Sequence, residues 1–200
     1  MGNGNCFSSK GGGGHCEGAP VTEGSGLSEK ESMKRYGVKT AEKPFTYTGK
    51  PELIKWHEQF SAAINSLGMC YLTSMWSFTE GFSPKDYVEL FSLTTGEKLN
   101  EEQFLDVGLK VHNIEKSFNV LHTNFSKKDD FPPDRYFKEE LNVGPSKGKK
   151  LDKEKWSQAI GHYYEIHGWD PNTGIPKKDT LEKLGLGFIV DKLKNNKKLD

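Results

Sequence analysis

"PELIKWHEQFSAAINSLGMC", residues 51 to 70, decides the fold class. Leu53, Trp56, Phe60, Ala63 or Ile64, and Leu67 recur every three or four residues, so they share one face of a helix. Pro51 suits a helix start, where the amide it lacks would have no partner. Lys55, His57, Glu58 and Gln59 are expected to supply the polar side. Gly68 can adopt the left-handed conformation that ends a helix, which turns "MCYLTSMW" back over the buried end and sets Cys70 at a packed corner. A buried, inert thiol is the ordinary expectation for a lone cysteine in such an apolar run.

The same logic extends in both directions. Residues 29 to 36 form a short helix stopped by Gly37, and "KPFTYTGKP" is a connector. Ser83 and Pro84 open a helix that Gly96 ends. Asn100 and Gln103 form a capping-box pattern ahead of "EEQFLDVGLKVHNIEKSFNVL". There Phe104, Val107, Val111, Ile114, Phe118 and Leu121 repeat at helical spacing, and this stripe is expected to face the core. The two prolines of "SKKDDFPPDRYF" make residues 127 to 135 a surface crossing. Asp152 starts a further helix in which Trp156, Ile160, Tyr163 or Tyr164, and His167 share a face until Gly168. "WDPNTGIP" is a turn, with Asp170 accepting backbone hydrogen bonds and Gly174 at positive φ. Two last helices, in "KDTLEKLGL" and "FIVDKLKN", complete an all-α chain without strand alternation.

Residues 1 to 48 therefore read as an irregular, Gly-rich segment and connector, and residues 49 to 200 as a helical domain. The chain carries 28 Lys plus Arg against 28 Asp plus Glu, a net charge of zero. That balance argues against nucleic-acid or anionic-membrane binding. No apolar run reaches the roughly 18 residues of a membrane span, and the opening lacks a secretion signal, so a cytoplasmic, reducing location is expected. Cys6, Cys16 and Cys70 form no C-x-x-C pair, and three cysteines exclude a zinc site built from four, though not one completed by His or carboxylate ligands. Neither "KGGGGHC" nor "GPSKGKK" has the context of a nucleotide-binding loop.

Three blocks sharpen this reading. "KPELIKWHEQFSAAINSLGMC", "FNVLHTNFSKKDDFPPDRYF" and "YYEIHGWDPNTGIPKKDTLEKLGL" together resemble the C-terminal domain of the tungsten-dependent aldehyde ferredoxin oxidoreductase family, over about residues 50 to 188. The resemblance implies a helical domain that contributes to a tungsten bis-pterin (tungstopterin) centre and an adjacent 4Fe-4S cluster. In the family, three cluster cysteines come from an upstream C-x-x-C-x-x-x-C region and the fourth from a D-x-x-G-L-C stretch. "NSLGMC" matches that stretch, which implies Cys70 as the cluster's metal ligand, with Asn65 and Gly68 as cofactor-binding positions. Asn65 stands where the family has Asp, so its contact with the pterin is uncharged. "KGGGGHCEG" faintly resembles the segment carrying a histidine beside tungsten, which implies a catalytic role for His15.

The family reaction oxidises aldehydes to carboxylic acids and passes electrons through the cluster to a ferredoxin-like carrier. "FNVLHTNF" departs from the common F-N-x-R-E-G-F, with Leu121 and His122 in place of Arg-Glu. It looks closer to the branch containing the tungsten subunit of benzoyl-CoA reductase, which makes an aromatic acyl-CoA the alternative substrate. His122 is then either near the site or a surface residue. Three cysteines cannot hold the cluster alone. A complementary N-terminal part carrying the pterin-binding domain and the cysteine triplet is the implied partner, and the isolated chain should be inactive. A non-catalytic helical module is the remaining alternative.

Overall fold

The computed structural model describes residues 27–39, 46–74, 81–144 and 146–199. They contain eight α-helices: α1 (Glu29–Tyr36), α2 (Lys50–Ser66), α3 (Pro84–Thr95), α4 (Glu101–His122), α5 (Arg135–Lys138), α6 (Lys153–Ile166), α7 (Lys178–Lys183) and α8 (Gly187–Asn195). Short 3₁₀ turns lie at Tyr71–Thr73 and Lys127–Asp130. Extended pairing among the described residues is confined to isolated bridges, Ser74 with Phe82 and Trp169 with Pro176. The all-α class follows.

Local chemistry sets the helix ends. Ser83 with Asp86 and Asn100 with Gln103 close reciprocal capping boxes, satisfying amides that the first turn leaves unpaired. The Asp152 carboxylate accepts from the amides of Glu154 and Lys155. Gly68 has φ +70°, and its left-handed backbone turns the chain out of α2 toward Cys70.

Helix α2 is the central element and packs along both α4 and α6. Leu53 and Ile54 join Tyr36, Trp156, Ile160, Tyr163, Tyr164 and Trp169 in one cluster. Phe60, Ala63 and Ile64 join Tyr71, Tyr87 and Phe104 in a second. A third gathers Val120, Leu181, Leu186, Ile189, Val190 and Leu193 where α4 meets α7 and α8. Each large buried side chain contributes about 1.5–3 kcal/mol.

Three expectations are corrected by this packing. His57 and Glu58, assigned to the polar face of α2, are fully buried. The residues of the crossing at 127 to 135 are not all at the surface, since Asp130 is buried. The largest correction concerns α4. Phe104, Gly108, His112, Lys116 and Val120, spaced by four, form the buried row, whereas Ile114 and Phe118 of the apolar stripe are exposed and Val107, Val111 and Leu121 are half-buried. Gly108 explains the rotation. A Cβ there would collide with the backbone of Gln59, so α4 turns its bare glycine toward α2 and the polar residues in register with it go inside.

Candidate functional site

The C-terminal end of α2 carries the residues singled out in the sequence. Asn65, Gly68 and Cys70 all lie at this end, and each is exposed. The expectation of a buried thiol is thereby overturned, because the turn after Gly68 carries Cys70 out of the core while Tyr71 goes in. His15 lies outside the described residues.

Hydrogen bonds clamp the Cys70 turn from two sides. The Thr73 hydroxyl donates to the Cys70 carbonyl at 2.8 Å and lies 3.1 Å from the Tyr87 hydroxyl. Tyr71, the next residue, places its hydroxyl 3.1 Å from His57 Nδ1, and His57 Nε2 is 3.2 Å from the Tyr36 hydroxyl. Burial, helped by the Arg35 charge, lowers the His57 pKa to about 3. A neutral imidazole between two tyrosines thus fixes the backbone on which Cys70 stands.

A second polar cluster fills the space between α2, α4 and α6. The Tyr163 hydroxyl donates to the Glu58 carboxyl at 2.9 Å, and His167 Nε2 lies 3.1 Å from Glu58 Oε2. His167 Nδ1 is 2.9 Å from the Tyr163 carbonyl, an acceptor only, so this nitrogen carries a proton. Nε2 of a neutral ring would then present a lone pair to the carboxylate. One proton must therefore lie between Glu58 and His167. Burial raises the Glu58 pKa to about 7 and lowers that of His167 to about 3, placing the proton on the carboxyl.

Lys116 and Asp130 pair beside this cluster at 3.0 Å. The Lys116 ammonium lies 3.7 Å from the ring centre of Phe125 and 5.0 Å from that of Trp169. Burial lowers its pKa, and Asp130 opposes that shift. The Tyr164 hydroxyl donates to Asp130, and Trp169 Nε1 donates to Asn113 Oδ1 at 2.9 Å. The sequence reading missed Glu58, Lys116 and Asp130 in these roles. The available signal was the crowd of aromatic donors in Tyr163, Tyr164 and Trp169, which require buried acceptors.

Among the described residues, no group of three or more His, Cys, Asp or Glu side chains could hold a metal ion. Among the described residues the one cysteine, Cys70, is exposed. An exposed thiol of this kind could serve as one thiolate ligand of a metal centre.

Comparison with known proteins settles the lineage. The family model "Aldehyde ferredoxin oxidoreductase, domains 2 & 3" matches residues 1–186. The chain belongs to the aldehyde ferredoxin oxidoreductase family. The tungsten-containing aldehyde ferredoxin oxidoreductase of Pyrococcus furiosus is 30% identical over 129 residues, 64% of this chain and 20% of the relative. Its counterpart in Thermococcus kodakarensis is 27% identical over 141 residues, 70% of this chain and 22% of the relative. An aliphatic sulfonate oxidoreductase, WOR-like subunit, of Pyrococcus furiosus is 33% identical over 117 residues, 56% of this chain and 18% of the relative. This member of the aldehyde ferredoxin oxidoreductase family thus spans about a fifth of the length of the curated relatives it matches. The active site complex BamBC of benzoyl-CoA reductase, solved with 1,5-dienoyl-CoA, shares the fold with a TM-score of 0.65 at 18% identity, covering 84% of this chain and 26% of that one. The family assignment and the helical C-terminal domain read from the sequence both hold.

Proposed function

We propose that this chain is the C-terminal part of a tungstopterin and iron-sulfur oxidoreductase that oxidises aldehydes to carboxylic acids in the cytoplasm. The observation that carries the reading is Cys70, an exposed thiol on a clamped turn beside Asn65 and Gly68. Cys70 would complete a 4Fe-4S cluster whose other ligands come from a complementary N-terminal part. Asn65 would face the pterin through its amide, and Gly68 would let the backbone approach without a Cβ. The bound centre would supply the redox chemistry and pass electrons to a ferredoxin-like carrier. His15 would hold or deliver a proton at the substrate, a task suited to imidazole. In this reading residues 1–48 bring His15 to the centre and residues 49–200 form the helical unit.

Substituting Cys70→Ser in the assembled protein should remove or alter the cluster's EPR signal, while Cys6→Ser leaves it unchanged. An unaltered signal in both variants would return Cys70 to an inert thiol. His15→Ala should lower turnover by about 100-fold or more with tungsten and iron contents intact, and His122→Ala should cost far less.

A second reading rests on "FNVLHTNF", where Leu121 and His122 replace the common Arg-Glu pair. It assigns the same part to the reduction of an aromatic acyl-CoA thioester. Turnover of benzoyl-CoA with a low-potential donor, and none of aldehydes, would favour it.

A further inference from the structure

The middle of the long helix α4 faces polar residues inward. Its polar residues His112, Asn113, Lys116 and Ser117 are buried, while Ile114 and Phe118 are 42% and 59% exposed. Val107 and Val111, on the same side, are half-buried. Phe118 packs against His122 of the next turn, with the rings tilted and 4.4 Å between their centres. A helix that buries polar groups on one side while leaving Ile114 and Phe118 exposed beside half-buried Val107 and Val111 can meet partners on two sides. From Val107 to Phe118 the row runs for about 16 Å at the helical rise of 1.5 Å per residue.

The described residues leave Ile114 and Phe118 exposed. Residues 1 to 26 contain Met1, Phe7 and Val21 as their only large aliphatic or aromatic side chains. Ser74 and Phe82, which flank residues 75–80 in the chain, pair in a bridge, and Tyr71 and Tyr87 next to it pack on Phe104. Ile114 lies about 15 Å farther along α4 by helical rise. A far larger source is the roughly four-fifths of a family-length polypeptide that this chain does not contain, since it covers 20% of one relative and 22% of another.

We propose that Val107, Val111, Ile114 and Phe118 form the docking surface for the polypeptide part that carries the C-x-x-C-x-x-x-C triplet, which would present an uncharged, apolar patch to them. The inference rests on the proposed function and names the surface through which its two parts meet. It also gives a partner to Ile114 and Phe118, the members of the α4 stripe that stay exposed.

The test uses the full chain and, as probe, the polypeptide from the same genome that carries the triplet, with affinity measured by sedimentation or calorimetry. The double variant Ile114→Glu/Phe118→Glu should keep wild-type circular dichroism and weaken association by about 30-fold or more. Leu93→Glu, at an exposed leucine of α3, should leave it unchanged. Association of the double variant at wild-type strength would overturn the docking surface and leave the proposed function standing. Failure of the wild-type chain to associate at all would count against both. A homodimer that the double variant dissociates would assign the row to a second copy instead. Protection of Ile114 and Phe118 in the monomer that is lost on deleting residues 2–26 would assign it to the chain's own opening segment. Either result would overturn the inference.

Discussion

At Glu58 and His167, one proton serves two groups, and the stability of the fold follows it. Burial raises Glu58 from 4.5 to about 7, so its contribution is complete below 4.5 and is lost as pH rises through about 7. His57 and His167, lowered by burial from 6.5 to about 3, contribute fully above 6.5 and lose that contribution as pH falls toward 3. Between 4.5 and 6.5 two imidazoles oppose one carboxyl, so the imidazoles win and acid destabilises. These three groups therefore favour stability near neutral pH, with losses toward acid and alkali. Charges around them act in both directions: Lys116 and His112 lower the Glu58 pKa, Glu115 raises it, and Lys55 and Lys116 lower that of His167. Glu58→Gln should flatten the alkaline limb of a melting-temperature profile, because an amide can accept from Tyr163 and donate to His167 without titrating. Retention of the limb in that variant would remove Glu58 as its source. Asp130→Ala, which strands the buried Lys116 charge, should cost about 3–5 kcal/mol in denaturant unfolding.

Helix α4 governs behaviour at the scale of elements. Gly108→Ala places a methyl against the Gln59 backbone, so α2 and α4 must separate along their main contact. The helix-propensity gain of about 1 kcal/mol should be outweighed, and the variant should melt lower than the wild type. An unchanged or raised melting temperature would show that the two helices can part cheaply. The same helix shows what a sequence can and cannot convey. Caps at Ser83, Asn100 and Asp152 were legible because they depend on side chains within three residues of the amides they satisfy. The facing of α4 was not. Periodicity locates an apolar stripe but cannot say which neighbour covers it, and a single glycine decided the rotation. Glu58, Lys116 and Asp130 were missed for a related reason, since their partners stand 14 to 109 residues away. Cys70, Asn65 and Gly68 were legible as a local motif. Their shared exposure was not, because it depends on the turn that sends Tyr71 inward.

For the whole molecule, the division of labour is the claim that matters. A helical domain with three apolar clusters and hydrogen-bonded buried groups at His57, Glu58 and Asp130 can fold around α2, and its described residues hold one cysteine, which is exposed, and no group of three or more His, Cys, Asp or Glu that could hold a metal ion. Its curated relatives are about five times as long as the segment they share with it. In the proposed function the chain forms one side of a cofactor site. The most direct measurement is the iron and tungsten content of the purified chain, alone and after association with the triplet-bearing polypeptide. The account predicts far less than stoichiometric metal in the isolated chain and a full complement in the assembly, dependent on Cys70. A monodisperse isolated chain that holds a complete cluster and tungsten would contradict it.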